Sequence, residues 1–190
     1  VTTYGIVIEG KYDQAALTQL ILKCISDKME IISRQCYDKD RLIMQFPSFL
    51  ESFRYEKQGS HVDKALVIRD AHGKDSEKLK ERMKIKIANR NYPFKVKFII
   101  IVQELEAWLL ADEEAISRVT QSRTGRRVSR INEPLESISQ PKKFLYKVLS
   151  EARVPYTDVV AQEIARESDL DRIEYRCPSF REFREAVIDC

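Results

Sequence analysis

Three short acidic motifs hold the residues of this chain best suited to chemistry. They are Ile8-Glu9-Gly10-Lys11-Tyr12-Asp13, Arg69-Asp70-Ala71-His72-Gly73-Lys74-Asp75, and the stretch from Glu104 through Glu106 to Asp112. Each follows a short apolar run of strand character. In a parallel sheet the tips of neighbouring strands lie about 5 Å apart. Carboxylates on adjacent tips can therefore share one hard cation. Mg²⁺ takes one or two carboxylates and leaves its other positions to water and phosphate oxygens. That chemistry suits cleavage or transfer of a phosphodiester. Histidine at position 72 offers a neutral nitrogen instead of charged oxygens, which favours Mn²⁺ over Mg²⁺ or a role in proton transfer.

The elements that must position these motifs alternate. Tyr4 to Ile8 reads as a buried strand. Asp13 stands where an N-cap belongs, before a helix over Gln14–Ser26 with Leu17, Leu20, Ile21 and Cys24 on one stripe. Met29–Cys36 is a second strand, and Leu42–Tyr55 a helix interrupted by Pro47. Ala65–Ile68 is a third strand, Asp75–Asn89 a charged helix, and Val96–Val102 a fourth, nearly all-apolar strand. Glu104–Thr120 is expected to be one amphipathic helix. The order β-α-β-α-β-α-β-α predicts an α/β fold, a mostly parallel sheet of about four strands flanked by helices. Ligands in such sheets collect at the carboxyl ends of the strands, where Glu9, Asp70, His72, Glu104 and Glu106 fall. Residues 1–120 form this core. Residues 121–190 read as a small helical C-terminal subdomain packed on it, with helices over Pro141–Ala152, Asp158–Glu167 and Phe180–Ile188.

Of the 190 residues, 43% are hydrophobic and 33% charged, as in an ordinary globular protein. The net charge of +3 neither demands nor forbids nucleic acid, so local clustering must decide. Arg123, Arg126, Arg127 and Arg130 lie in a segment that reads as a mobile basic loop able to hold phosphates. It reads equally as a solvated loop. Lys142-Lys143 reads as plain surface. No apolar run reaches the roughly 20 residues of a membrane helix. The first residues resemble no export signal, although the sequence opens on Val1. The four cysteines form no C-x-x-C pair, so neither a zinc site nor a disulfide framework is expected, and a reducing cytoplasm is. Each motif also has a purely structural reading. Glu9, Asp70 and His72 would then be turn residues, Glu106 would favour a helix dipole, and Asp112 would end a helix or pair locally. Trp108, Leu109 and Leu110 read as core, and Arg176-Cys177 as structural.

A hydrophobic strand ending in Glu-Gly, followed by a later strand ending in Asp-x-Asp-Gly, resembles the Toprim domain of topoisomerases, primases, overcoming-lysogenization-defect nucleases and recombination proteins. Here the pair is Val7-Ile8-Glu9-Gly10 and Ile68-Arg69-Asp70-Ala71-His72-Gly73. With the Glu106-to-Asp112 segment and the run from Arg176 to Phe180, the chain resembles a narrower group, the Toprim-like domain-of-unknown-function family 4276. Members of that family often sit beside an ABC- or AAA-type ATPase in defence loci. The resemblance implies a metal-dependent nuclease acting on DNA or RNA, the effector of an ATPase-coupled anti-phage system. It implies Glu9 as acid/base or metal ligand and Asp70 as metal ligand, with His72 replacing the second aspartate. Asp13 and Glu106 are the extra acids, and Lys11 and Lys74 flank the strand tips as phosphate contacts. Mg²⁺ or Mn²⁺ is the implied cofactor. A separate ATPase, a DNA or tRNA substrate and a homo-oligomer are the implied partners, with no membrane. This chain has no G-x-x-x-x-G-K-[ST] loop of its own. The alternative is a non-catalytic subunit that keeps the scaffold for docking an ATPase, its metal site decayed at His72.

Overall fold

The computed structural model of the chain describes residues 1–25, 28–36, 38–56 and 61–189. In chain order these form β1 (Thr2–Ile8), α1 (Lys11–Cys24), β2 (Met29–Gln35), α2 (Lys39–Ser52), β3 (Lys64–Asp70), α3 (Ser76–Ile87), β4 (Lys95–Ile101), α4 (Glu106–Leu109) and α5 (Glu113–Thr124). A 3-10 turn (Leu135–Ser137) follows, then α6 (Pro141–Glu151), α7 (Asp158–Glu167), α8 (Leu170–Arg176) and α9 (Ser179–Ile188). The four strands make one all-parallel sheet in the order β2-β1-β3-β4. The α/β architecture matches the alternation in the sequence.

The pleat of the strands divides the core in two, because successive side chains point to opposite faces. Tyr4, Ile6 and Ile8 of β1, Leu66 and Ile68 of β3, and Ile99 and Ile101 of β4 face one layer. Val7, Ala65, Val67, Phe98 and Ile100 face the other. The second layer is α2 and α3, which contribute Leu42, Phe46, Leu50, Leu79 and Met83, with Phe53 at the C-cap of α2. Gly5 admits this layer closely: a Cβ there would lie 2.6 Å from the Phe53 ring. The first layer is α1 together with all the helices from α4 onward, so the segment after residue 120 shares one core with the sheet. Trp108 is its centre. Its ring meets Phe180 edge-on at 5.0 Å and Phe183 at 5.1 Å, and its indole N–H donates to Ser179 Oγ at 3.3 Å.

Two helices differ from expectation for identifiable reasons. α2 is continuous through Pro47. Proline there removes the N–H that would bond the Ile43 carbonyl, and Lys86 Nζ donates to that carbonyl instead, at 2.9 Å. The single helix expected over Glu104–Thr120 is two, broken at Leu110–Asp112. Asp112 leaves the helical conformation and caps α5, its Oδ1 accepting from the N–H groups of Glu114 and Ala115. Tertiary partners fix that choice: Asp169 N–H donates to Oδ2 at 2.9 Å and Arg172 to Oδ1 at 2.7 Å. α8 was not expected at all, and α5 extends to Thr124, into the segment read as a basic loop.

Asp112 is thus a buried structural carboxylate. Burial would raise its pKa, but the Asp169 N–H, Arg172 and the Ala115 N–H hold it below the usual carboxylate value. Its stabilisation is complete above the unfolded value near 4 and is lost as the pH falls through the depressed folded value. Asp112→Ala is expected to cost about 2–3 kcal/mol at neutral pH. The gap from wild type should shrink below about pH 4 in urea melts. A pH-independent gap would refute this account of Asp112.

Candidate active site

The sheet order places the ends of β1 and β3 side by side. The crossover from β1 packs α1 on one face, and α2 and α3 cover the other. The chain paths diverge between these two tips, which opens a crevice in sheets of this kind. Glu9 follows β1 directly, and Asp70 is the last residue of β3. Asp13 is not the N-cap of α1, as expected, but its third residue. Gly10 takes the cap position with extended backbone and donates its N–H to Asp13 Oδ2 at 2.9 Å. The Asp13 carboxylate is thereby turned back over the strand tip.

Beyond Asp70, the pairing with β4 continues for two more bonds. Ala71 N–H donates to Ile101 O at 2.8 Å and His72 N–H to Gln103 O at 3.0 Å. These hold His72 at φ 49°, a left-handed conformation uncommon for residues other than glycine, with Gly73 following at φ 75°. The turn sets the imidazole at the mouth of the crevice. Its Nε2 is 3.8 Å from Glu9 Oε2 and its Nδ1 3.5 Å from Glu104 Oε1. Behind Glu9 lies the buried Arg69, whose Nε is 3.5 Å from Oε1. Glu106 opens α4 and is buried; Tyr156 donates its hydroxyl to Glu106 Oε1 at 3.0 Å. Lys142, at the start of α6, donates its backbone N–H to Glu104 Oε2 at 2.9 Å and sets Nζ 3.6 Å from Glu106 Oε1. Together Glu9, Gly10, Asp13, Asp38, Asp70, His72, Glu104, Glu106 and Lys142 line an open cavity of about 200 Å³.

The electrostatics of this cavity are dominated by carboxylates crowded in low dielectric. Burial pushes Asp70 well above the usual range, and Asp13, Glu106, Glu9 and Glu104 push it further. Burial likewise raises Asp13, with Glu104 adding and Lys142, the Gly10 N–H and His72 opposing. Burial raises Glu106 against the opposing pull of Lys142 and Tyr156. For Lys142, burial works to lower the pKa, but Glu106, Asp13, Glu104 and Asp70 outweigh it and raise it. Among the described residues, no three His, Cys, Asp or Glu side chains are gathered as a metal-ligand set. The donor chemistry nevertheless fits a hard divalent cation: oxygen donors in excess, under mutual repulsion that a cation relieves. Glu9, Asp70 and Asp13 would hold it, with His72 at the mouth. Thiol chemistry is disfavoured, because burial pushes Cys24 and Cys36 up to about 11 and Cys177 to about 12. Cys190 lies outside the described residues.

Of the residues singled out in the sequence, Glu9, Asp13, Asp70, His72 and Glu106 meet here. Lys74 is exposed on the turn just past His72. Lys11 opens α1, and its side chain lies outside the described part of the structure. The four arginines sit elsewhere. Arg126 reaches the Glu151 carbonyl at the far end of α6, about 14 Å along the helix from Lys142. Arg123 pairs with Glu163 and Arg127 with Glu114, at 2.8 and 2.5 Å, and Arg130 is exposed. Sequence reasoning missed Lys142 and Tyr156 and gave Glu104 no role. Glu104 stood in plain view inside an acidic motif. Lys142 follows Pro141, a helix-start signal, but nothing local marks its charge as inward.

The family model described as Domain of unknown function (DUF4276) matches residues 8–188. The chain belongs to the DUF4276 family. No curated protein and no solved structure matches it. The DUF4276 match runs from the last residue of β1 through Glu9 and all of β3, and it includes the two segments that distinguish the chain from a bare strand-tip motif. Those segments clasp each other. Arg176 donates to the Ala111 and Ile131 carbonyls and pairs with Glu113 at 2.9 Å, and Ser179 N–H donates to Glu136 at 2.9 Å. In this DUF4276 chain the run from Glu106 to Asp112 therefore has two ends with different work: Glu106 faces the cavity and Asp112 holds the helical layer.

Raised carboxylates mean that the folded chain keeps protons the unfolded chain releases near pH 4. Stability then falls as the pH rises from about 4 through the raised folded values. Asp70→Asn removes the most strained charge, and its Tm at pH 7 in EDTA is expected to exceed that of wild type by a few degrees. An equal or lower Tm would show that Asp70 is not under charge strain.

Proposed function

We propose that this DUF4276 protein is a metal-dependent nuclease of Toprim type, cleaving phosphodiester bonds of DNA or RNA. The observation that carries the reading is the placement of Asp70 at the β1/β3 crevice among Glu9, Asp13, Glu104 and Glu106. A carboxylate so surrounded is poorly explained as a stabilising feature, because desolvation and like charge both work against it. The Glu-Gly and Asp-x-x-Gly motifs that resemble Toprim stand on the two adjacent strand tips that this chemistry needs. Bound there, Mg²⁺ or Mn²⁺ supplies neutralisation of phosphate charge and a bound water of lowered pKa.

The chain's own residues have distinct tasks. Glu9 is held between Arg69 and His72, so its carboxylate is oriented and can accept or return a proton at Oε2. His72, at the mouth, reaches both Glu9 and Glu104 and can pass a proton between crevice and solvent. Its nitrogen in place of a carboxylate favours Mn²⁺. Tyr156 fixes Glu106 by donating to it. Lys74, exposed beside the mouth, suits a phosphate contact. The role as effector of a separate ABC- or AAA-type ATPase rests on the resemblance.

Plasmid DNA, single-stranded DNA and total tRNA, each with Mg²⁺ or Mn²⁺, provide the test. Cleavage by the wild type should be metal-dependent, faster with Mn²⁺, and reduced by about 10²-fold or more in Glu9→Gln and in Asp70→Asn. Cleavage untouched by both substitutions, or absent from every combination, would overturn the reading.

A further inference from the structure

Among the described side chains that line the crevice with the acids, one is a lysine, held there in an unusual way. Lys142 grips the cluster through two atoms. Its backbone N–H donates to Glu104 Oε2 at 2.9 Å, and its Nζ stands 3.6 Å from Glu106 Oε1. The backbone bond belongs to the first turn of α6, where Pro141 leads the helix. The side chain is different: it is 43% exposed, against 3% for Glu106. The head thus reaches in from the solvent side and has an open way out. Arg69, a second permanent cation among the described residues of the cluster, is 5% exposed and sits behind Glu9, so it has no such route.

We propose that Lys142 is the built-in counter-ion of the acid cluster, and that a divalent cation must displace its ammonium from Glu106 in order to bind. The inference rests on the metal reading above. From beside Glu106 the ammonium also acts on Asp13 and Asp70, two of the acids that would hold the metal, so it competes with a metal ion for their charge and the two cations repel each other across a site of reduced dielectric. Displacement needs only a change of side-chain rotamer, because the bond that anchors α6 to Glu104 is made by the backbone and survives. One residue therefore holds the helix layer against the strand tips while its charge is free to yield. Without the metal, the ammonium limits the repulsion among Asp13, Asp70, Glu104 and Glu106.

Calorimetric titration with MnCl₂ tests this on wild type, Lys142→Met and Lys142→Arg, with metal-free and Mn²⁺-loaded Tm measured in parallel. Lys142→Met should bind Mn²⁺ about tenfold tighter or more, with a lower metal-free Tm and a larger Mn²⁺-induced rise. Lys142→Arg keeps the charge and should stay near wild type. Equal or weaker Mn²⁺ binding by Lys142→Met would overturn the proposal and leave the metal reading standing. Absence of Mn²⁺ binding from both wild type and Lys142→Met would sink the metal reading and the proposal together. Should the methionine variant fail to fold without metal, Lys142→Gln is refolded with and without Mn²⁺. Recovery only with Mn²⁺ supports the proposal, and failure in both conditions overturns it.

Discussion

Repulsion among carboxylates at the tips of β1 and β3 is the constraint to which the rest of this structure answers. Two unit charges 4 Å apart interact by about 4 kcal/mol at the effective dielectric of a protein surface. The crevice holds Glu9, Asp13, Asp38, Asp70, Glu104 and Glu106. The sheet and the helical layer on one side of it send groups to meet that charge. β3 sends Arg69, the turn into α1 sends the Gly10 N–H, and the C-terminal helices send Lys142 with its N–H and the segment before α7 sends Tyr156. These groups hold the acids in place without cancelling them, and Asp70 stays strongly perturbed. Such unresolved strain in a cleft is what supports the proposed metal reading, since functional sites are where strain of this kind is retained.

The helices after β4 are part of the same design. Trp108 with Phe180 and Phe183, and Arg176 with Ala111 and Ile131, fasten α9 and the α8–α9 turn to the segment leaving β4. Asp112 fastens α5 to α8. Lys64, buried at the start of β3, donates to the carbonyls that end α9, where a cation suits the helix dipole. α6, and with it Lys142, joins this layer through its buried Leu145, Val148 and Leu149 and through the Lys142 N–H on Glu104.

Much of this was legible beforehand. The apolar runs at 4–8, 65–68 and 98–101 are strands because β-branched residues covered on both faces suit a parallel sheet. Glu9 and Asp70 were legible because a strand end is local, and so is the turn that follows it. The helix break at Asp112 was legible only as an alternative, that this aspartate ends a helix or pairs locally. Periodicity runs unbroken from Glu104 to Thr120, and only the Asp169 N–H and Arg172, about 60 residues away, make the aspartate a cap. Pro47 misled in the opposite direction, since Lys86 supplies the hydrogen bond that proline removes. The arginines at 123 and 127 read as a free basic loop because their partners, Glu163 and Glu114, lie on other helical turns.

The sequence by itself determined the strand–helix alternation through β4, the parallel sheet and the acids at its carboxyl edge, because all three follow from local periodicity and from the handedness of strand connections. Tertiary structure alone decided what surrounds those acids. Lys142 read as surface and Tyr156 as nothing in particular, yet both meet Glu106, from 36 and 50 residues away along the chain. Local patterns report which side of an element is buried. They do not report which distant charge will be packed against it, because that depends on how separate helices share one core.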